Sequence, residues 1–179
     1  MSIATATSER ARLFFALWPD DSVRSALAAL ARDAQAECGG RAIARENLHL
    51  TLFFVGPFDR ARIAALERAA GSLRTTTFEL VLDRLGYWPH NRIVWTGATQ
   101  CPAALAALAT DLRVALAREG IAGETRPYVP HLTLVRNAER KPAARRLPAC
   151  HWAASELALV ESVPVSGGVR YDVTHAWSL

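Results

Sequence analysis

The same four residues occur twice in this chain, as His49-Leu50-Thr51-Leu52 and as His131-Leu132-Thr133-Leu134. Each copy reads as a β-strand. Side chains alternate along a strand, so His49 and Thr51 share one face, His131 and Thr133 share another, and the leucines point away. An imidazole titrates near neutral pH, so of two such groups one can give a proton while the other takes one. A threonine hydroxyl beside each can donate a hydrogen bond where charge develops. These four side chains are the parts of a paired general acid–base device. A single His-x-Thr is also the ordinary pattern of a sheet with one wet face. Repetition makes function the better reading, because the chain has only five histidines.

The other histidines carry no such context. His90 lies between Pro89 and Asn91 and reads as an exposed turn residue, while His151 and His175 lack a following threonine. No carboxylate stands in register with the two motifs to complete a metal site. Nothing matches a glycine-rich phosphate loop or a zinc-protease helix.

The elements that must hold the two motifs alternate along the chain. Arg12 to Trp18 reads as an aromatic-rich strand ended by Pro19. Asp20 or Asp21 caps a helix with Val23, Leu27 and Leu30 at helical spacing, stopping near Gly39-Gly40. The first motif strand closes at Gly56-Pro57, and a short helix follows from about Asp59 to Ala70. Thr77 to Tyr87 and Arg92 to Thr96 read as a hairpin. Pro102 suits the first turn of a helix carrying Leu105, Leu108, Leu112 and Leu116, which Gly120 ends. The second motif strand spans about Tyr128 to Val135. Asn137 to Pro148 reads as a polar loop, and two strands, Glu156 to Ser162 and Val169 to Trp177, close the chain. The motif copies are too far apart for a tandem array and fit two halves of one domain.

A chain of 179 residues, 51% hydrophobic and 21% charged, suits one well-buried soluble domain. No apolar run is long enough to cross a membrane. Residues 1–10 read as a short disordered lead and residues 11–179 as a single domain. The three cysteines, Cys38, Cys101 and Cys150, are widely spaced and odd in number, which fits a reducing cytoplasm. The net charge of +4 is a mild bias, compatible with an anionic partner.

The motifs and their flanks resemble the two-histidine (2H) phosphoesterases, specifically the bacterial and archaeal RNA 2′,3′-cyclic phosphodiesterases, also called 2′-5′ RNA ligase-like proteins. The likeness rests on Arg12 to Leu17, Glu46-Asn47 before the first motif and Phe54-Val55-Gly56 after it. It continues in Tyr128-Val129-Pro130, Val135-Arg136, Leu159 to Ser162, Gly167 and Tyr171, and so covers almost the whole chain. One departure is Phe53, where many members carry lysine, a change expected to alter charge at the cleft rim.

The resemblance implies an α+β fold, bilobal, with two pseudo-twofold-related lobes whose antiparallel sheets line a central cleft, helices outside. It implies hydrolysis of a terminal 2′,3′-cyclic phosphate of RNA or nucleotides to a 2′-phosphate, with no metal or cofactor. His49 is then the proton donor and His131 the acceptor, with Thr51 and Thr133 beside them, although near-identical motifs leave that direction open. Arg136 is a substrate contact only if a strand end or bulge turns it to the histidine's face. Phe15 is a candidate for stacking on a base, with one of Phe14 and Phe15 pointing inward, and Tyr128 is a third substrate-binding candidate. The expected partner is RNA with a cyclic phosphate end, bound by a monomer away from membranes. Alternatives are a non-catalytic RNA-end binding module, a phosphodiesterase for small cyclic nucleotides or ADP-ribose cyclic phosphate, and 2′-5′ RNA ligation as the reverse reaction.

Overall fold

The computed structural model describes residues 9–123, 128–143 and 146–179; residues 1–8 of the expected lead lie outside them. The elements are β1 (Arg10–Leu17), α1 (Asp21–Cys38), β2 (Arg41–Ala42), β3 (Leu50–Asp59), α2 (Ile63–Gly71), β4 (Phe78–Trp88) and β5 (Ile93–Gly97). They continue with α3 (Ala103–Arg118), β6 (Leu132–Arg136), β7 (Arg146–Ala154), β8 (Glu156–Val165) and β9 (Gly168–Ser178). The fold is α+β. One continuous antiparallel sheet runs β7-β4-β5-β6-β3-β1-β8-β9, with β2 paired to β6.

Local chemistry sets the helix boundaries. The Asp20 carboxylate accepts from the amides of Ser22 and Val23 at 2.8 and 2.9 Å, satisfying two donors that the first turn leaves unpaired. Gly39, at φ 70°, ends α1 in a conformation that costs other residues strain. Val23, Leu27, Ala31 and Ala34 give α1 its buried stripe, and Leu105, Leu108, Leu112 and Leu116 give α3 its own. The packing is interleaved. The first helix lies on β6 and β7 of the later half of the chain, while α3 lies on β3 and α2 on β9.

The strand β7 replaces the end of the loop expected up to Pro148 and adds a strand that the sequence pattern does not predict. It carries Pro148 because it is an edge strand, where a missing N–H leaves no neighbour unpaired. The first strand starts two residues earlier than expected, as Arg10 pairs with Asp59.

The two motif strands meet at the middle of the sheet through one register pair, Leu50 with Leu132. Both leucines are fully buried in the core that the helices cover. Each motif strand also carries the same irregularity. Thr51 pairs with Ala16 but Phe53 with Phe15, so Leu52 is an extra residue. Thr133 pairs with Trp95 but Val135 with Val94, so Leu134 is extra as well. A bulge places two successive side chains on one side of the sheet and reverses the alternation beyond it. Leu52 and Phe53 are both buried, as are Leu134 and Val135, and the next residues, Phe54 and Arg136, emerge on the opposite face.

Gly86, the cross-strand partner of Trp95, lies under the buried indole, and a Cβ there would sit 2.1 Å from a ring carbon. Gly86→Ala is therefore expected to lower stability by roughly 1–3 kcal/mol, the usual cost of overpacking. Urea unfolding measures it; an unchanged midpoint would show that the indole moves aside freely.

Candidate active site

Both histidines occupy the residue immediately before their strand, not a position within it. There the backbone turns enough for each ring to reach the carbonyl two residues back. Nδ1 of His49 donates to the Asn47 carbonyl at 2.7 Å, and Nδ1 of His131 donates to the Val129 carbonyl at 2.8 Å. A carbonyl only accepts, so the proton of each neutral ring resides on Nδ1 and each Nε2 is left with its lone pair. The Thr51 hydroxyl donates to Nε2 of His49 at 3.1 Å. Extending the Leu50–Leu132 register by one residue each way sets His49 across from Thr133 and Thr51 across from His131. Directly opposed residues share a face about 5 Å apart, so the four side chains converge.

The two rings have different surroundings. His49 is packed by Trp18, stacked at 5.6 Å, by Phe14 at 4.8 Å and by Tyr171, edge-on at 5.0 Å. His131 meets Trp88 edge-on at 4.4 Å, with Trp95 further off at 6.4 Å. Burial disfavours the imidazolium at both sites, and the Arg136 charge adds to it; the carbonyl bonds oppose these effects only partly. His49, which also feels His131, is pushed down to about 4. His131 is held below its ordinary value.

The residues expected around the pair divide. Arg136 is exposed and close enough for its charge to act on both imidazoles, because the Leu134 bulge turns it to their face. Phe15 needs correction. It is fully buried on the helix side, 6.1 Å from Trp177, and offers no face to a base; strand alternation gives the histidine side to Phe14. Phe53 is largely buried, since the Leu52 bulge turns it inward beside Phe15, and it borders a cavity beside His131 as an apolar wall. The Tyr128 hydroxyl donates to the Thr51 carbonyl at 3.1 Å, tying the approach to the second motif to the backbone of the first. Desolvation drives that phenol's pKa up, so it stays a donor.

Residues outside the motifs complete the arrangement. The Asn47 side-chain amide donates to the Val169 carbonyl at 2.8 Å, and Arg41 reaches the Gly167 carbonyl at 3.3 Å, latching the β8–β9 turn beside His49. Trp18, Trp88 and Tyr171 sit on the imidazoles, and only the alternation through Phe14 and Ala16 could have pointed to Trp18. His151 pairs with Glu79 at 2.6 Å, and His175 stacks on Trp177 at 4.4 Å; neither joins the pair. His90 is exposed in the β4–β5 turn, as expected, but lines a cavity that also touches His131.

The profile of the 2′-5′ RNA ligase superfamily matches residues 19–164. The chain is 36% identical over 174 residues to the RNA 2′,3′-cyclic phosphodiesterase of Escherichia coli (strain K12), covering 96% of this chain and 98% of that one. It is 31% identical to the enzyme of the same name from Thermus thermophilus, over 94% and 90% of the two chains. The crystal structure of E. coli LigT in apo form superposes with a TM-score of 0.86 at 35% identity, over 96% of this chain and 99% of that one. A LigT structure complexed with 3′-AMP matches over the same shares, with a TM-score of 0.86 at 34% identity.

The tautomers and the depressed imidazoles can be read directly. Nitrogen-15 spectra of the histidine rings at pH 7 should show Nδ1–H forms for His49 and His131, with His49 titrating near 4 and His131 below 6.5. Because the Arg136 charge disfavours a second cation, Arg136→Gln should move both midpoints to higher pH. A His49 midpoint at 6.5 or above would show that the ring is not shielded from water.

Proposed function

The chain belongs to the 2′-5′ RNA ligase superfamily, and we propose that it acts as an RNA 2′,3′-cyclic phosphodiesterase, opening a terminal cyclic phosphate to a 2′-phosphate. The observation that carries this reading is the pair of imidazoles, each held by an Nδ1 bond to a carbonyl that leaves the lone pair on Nε2, and close enough that the charge of one acts on the other. Nε2 of His131 takes a proton from water as the water attacks phosphorus. Nε2 of His49, protonated in the complex, gives its proton to O3′ as the bond to phosphorus breaks in line. The bound phosphodiester is an anion, which favours the imidazolium and offsets the burial and the Arg136 charge that depress it in the free protein.

The Thr51 and Thr133 hydroxyls and the Arg136 guanidinium meet the non-bridging oxygens as charge moves onto them. None of these steps calls on a metal, since proton donor, proton acceptor and charge stabiliser are all side chains. The protein works as a monomer in the cytoplasm, a compartment that its three widely spaced cysteines suit.

Turnover of 2′,3′-cyclic mononucleotides and of cyclic-ended oligonucleotides, unaffected by EDTA, with none of 3′,5′-cyclic nucleotides, is the expected outcome of a substrate panel. Phosphorus NMR should find the product phosphate on O2′. A chelator-sensitive rate restored by zinc would sink the metal-free mechanism, and tight binding without turnover would mark an RNA-end binding module.

His49→Ala and His131→Ala should each remove most of kcat, and the double variant should be little worse than either, because the two act as a unit. Thr51→Val or Thr133→Val should cost about 2–4 kcal/mol of transition-state stabilisation. The pH profile of kcat/KM reports the free protein, so both limbs of its bell should lie below 6.5. The limbs of kcat, set in the complex with an anion, should lie at higher pH. Coincident profiles would mean that the bound phosphate does not act on the imidazoles.

A further inference from the structure

The end of the β8–β9 hairpin projects beyond the sheet. Pairing of β8 with β1 stops at Glu161, yet β8 and β9 continue together to Val165 and Gly168, across a two-residue turn. Ladder bonds alternate along an antiparallel pair, so the bonded pair Val165–Gly168 is followed by an unbonded one, Pro164–Val169. Pro164, with no N–H, suits that position. The Val169 carbonyl therefore points outward, and the Asn47 side-chain amide donates to it at 2.8 Å. Arg41, an exposed side chain, reaches the tip at Gly167 with a longer bond of 3.3 Å.

Asn47 belongs to a closed circuit of contacts. Its backbone carbonyl accepts from Nδ1 of His49, two residues on. The His49 ring meets Tyr171 edge-on, with centroids 5.0 Å apart. Tyr171 lies two residues beyond Val169, whose carbonyl returns the path to the Asn47 amide. Phe14 braces the circuit, 5.1 Å from Tyr171 and 4.8 Å from His49. The placement costs something, because Oδ1 of Asn47 is buried with no hydrogen-bond partner among the described residues. His131 has no equivalent. The residue that holds its Nδ1 is Val129, exposed and without a side-chain donor.

Building on the proposed activity, we infer that Asn47 is a positioning residue for the proton donor. Its amide holds the β8–β9 arm, and through Tyr171 the arm holds the His49 ring in the orientation that delivers a proton to O3′. The two histidines differ in what their tasks demand. A water held by His131 can settle into line, but O3′ is fixed by its ribose and the ring must be aimed at it. Clamping one histidine alone follows that difference.

The clamp also shields the ring. Burial is the largest effect holding His49 at about 4, and the arm supplies part of that burial. The charged and titratable groups toward the ring are His131 and Arg136, with Tyr171 on the arm and Arg24 over Trp18 at 5.6 Å. Asn47→Ala alters none of these and keeps the backbone carbonyl; it removes only the amide. Water then reaches the imidazole and favours its charged form, so the midpoint should rise toward 6.5 by about one pH unit.

Nitrogen-15 spectra of the ring and steady-state kinetics test the clamp together. In Asn47→Ala the His49 midpoint should rise while that of His131 moves less. Its kcat on a 2′,3′-cyclic mononucleotide should fall roughly tenfold, with KM little changed. Tyr171→Ala should do the same, and adding Asn47→Ala to it should do no more. Tyr171→Phe, which keeps the ring, should leave the midpoint in place. Effects that multiply in the double variant would show that Asn47 does not act through Tyr171, and the clamp would be wrong. An unmoved His49 midpoint in Asn47→Ala would overturn it as well. If that variant fails to fold, Asn47→Ser, too short to span to Val169, takes its place. The spectra need no turnover. A wild-type protein that turns over no cyclic phosphate therefore overturns the activity, and the midpoints still judge the clamp.

Discussion

A single backbone pairing, Leu50 with Leu132, joins two four-strand runs into one sheet, and the chemistry hangs from it. Each leucine is fully buried, so neither strand can slide without carrying apolar side chains into water. A slip of one residue would turn every side chain of that strand to the wrong face. The histidines and threonines stand one residue either side of this pair. Their convergence is thus enforced by core packing, with no direct bond between the motifs required.

The twin bulges give the site its difference of ends. Both fall on the last leucine of the repeated tetrapeptide, and both bring the residue five beyond the histidine back to the histidine's face. In one motif that residue is Phe54, in the other Arg136. A local rule applied twice therefore delivers an aromatic ring beside one histidine's strand and a fixed cation beside the other's. The Arg136 charge depresses both imidazoles, while Phe54 carries Arg12 on its ring. Near-symmetric backbone is thus compatible with a directional reaction.

Much of this was legible in the residues. The repeated tetrapeptide announced the histidines and threonines, and the need for a bulge at Arg136 followed from alternation alone. What alternation could not reveal was phase. Phe14 and Phe15 are adjacent and equally apolar, and only pairing with β3 and β8 decides which one the helices cover. The carbonyl partners of the imidazoles were hidden for another reason. They are backbone atoms at Asn47 and Val129, and backbone acceptors leave no mark in composition. The strand β7 escaped because Pro148 suggests a loop until the strand is known to lie at an edge. Trp88 escaped because a tryptophan at a hairpin end has many ordinary explanations.

The interleaving of helices and strands bears on how the chain reaches this state. Because α1 rests on β6 and β7, roughly a hundred residues downstream, its apolar stripe stays uncovered until most of the chain exists. Such distant contacts carry a loop-closure cost before they return any stabilisation, which slows folding relative to chains built from near neighbours. Emergence from the ribosome should then leave the first motif strand formed but unpartnered on its β6 side for some time. In that interval the edge of β3 is a template for the wrong neighbour.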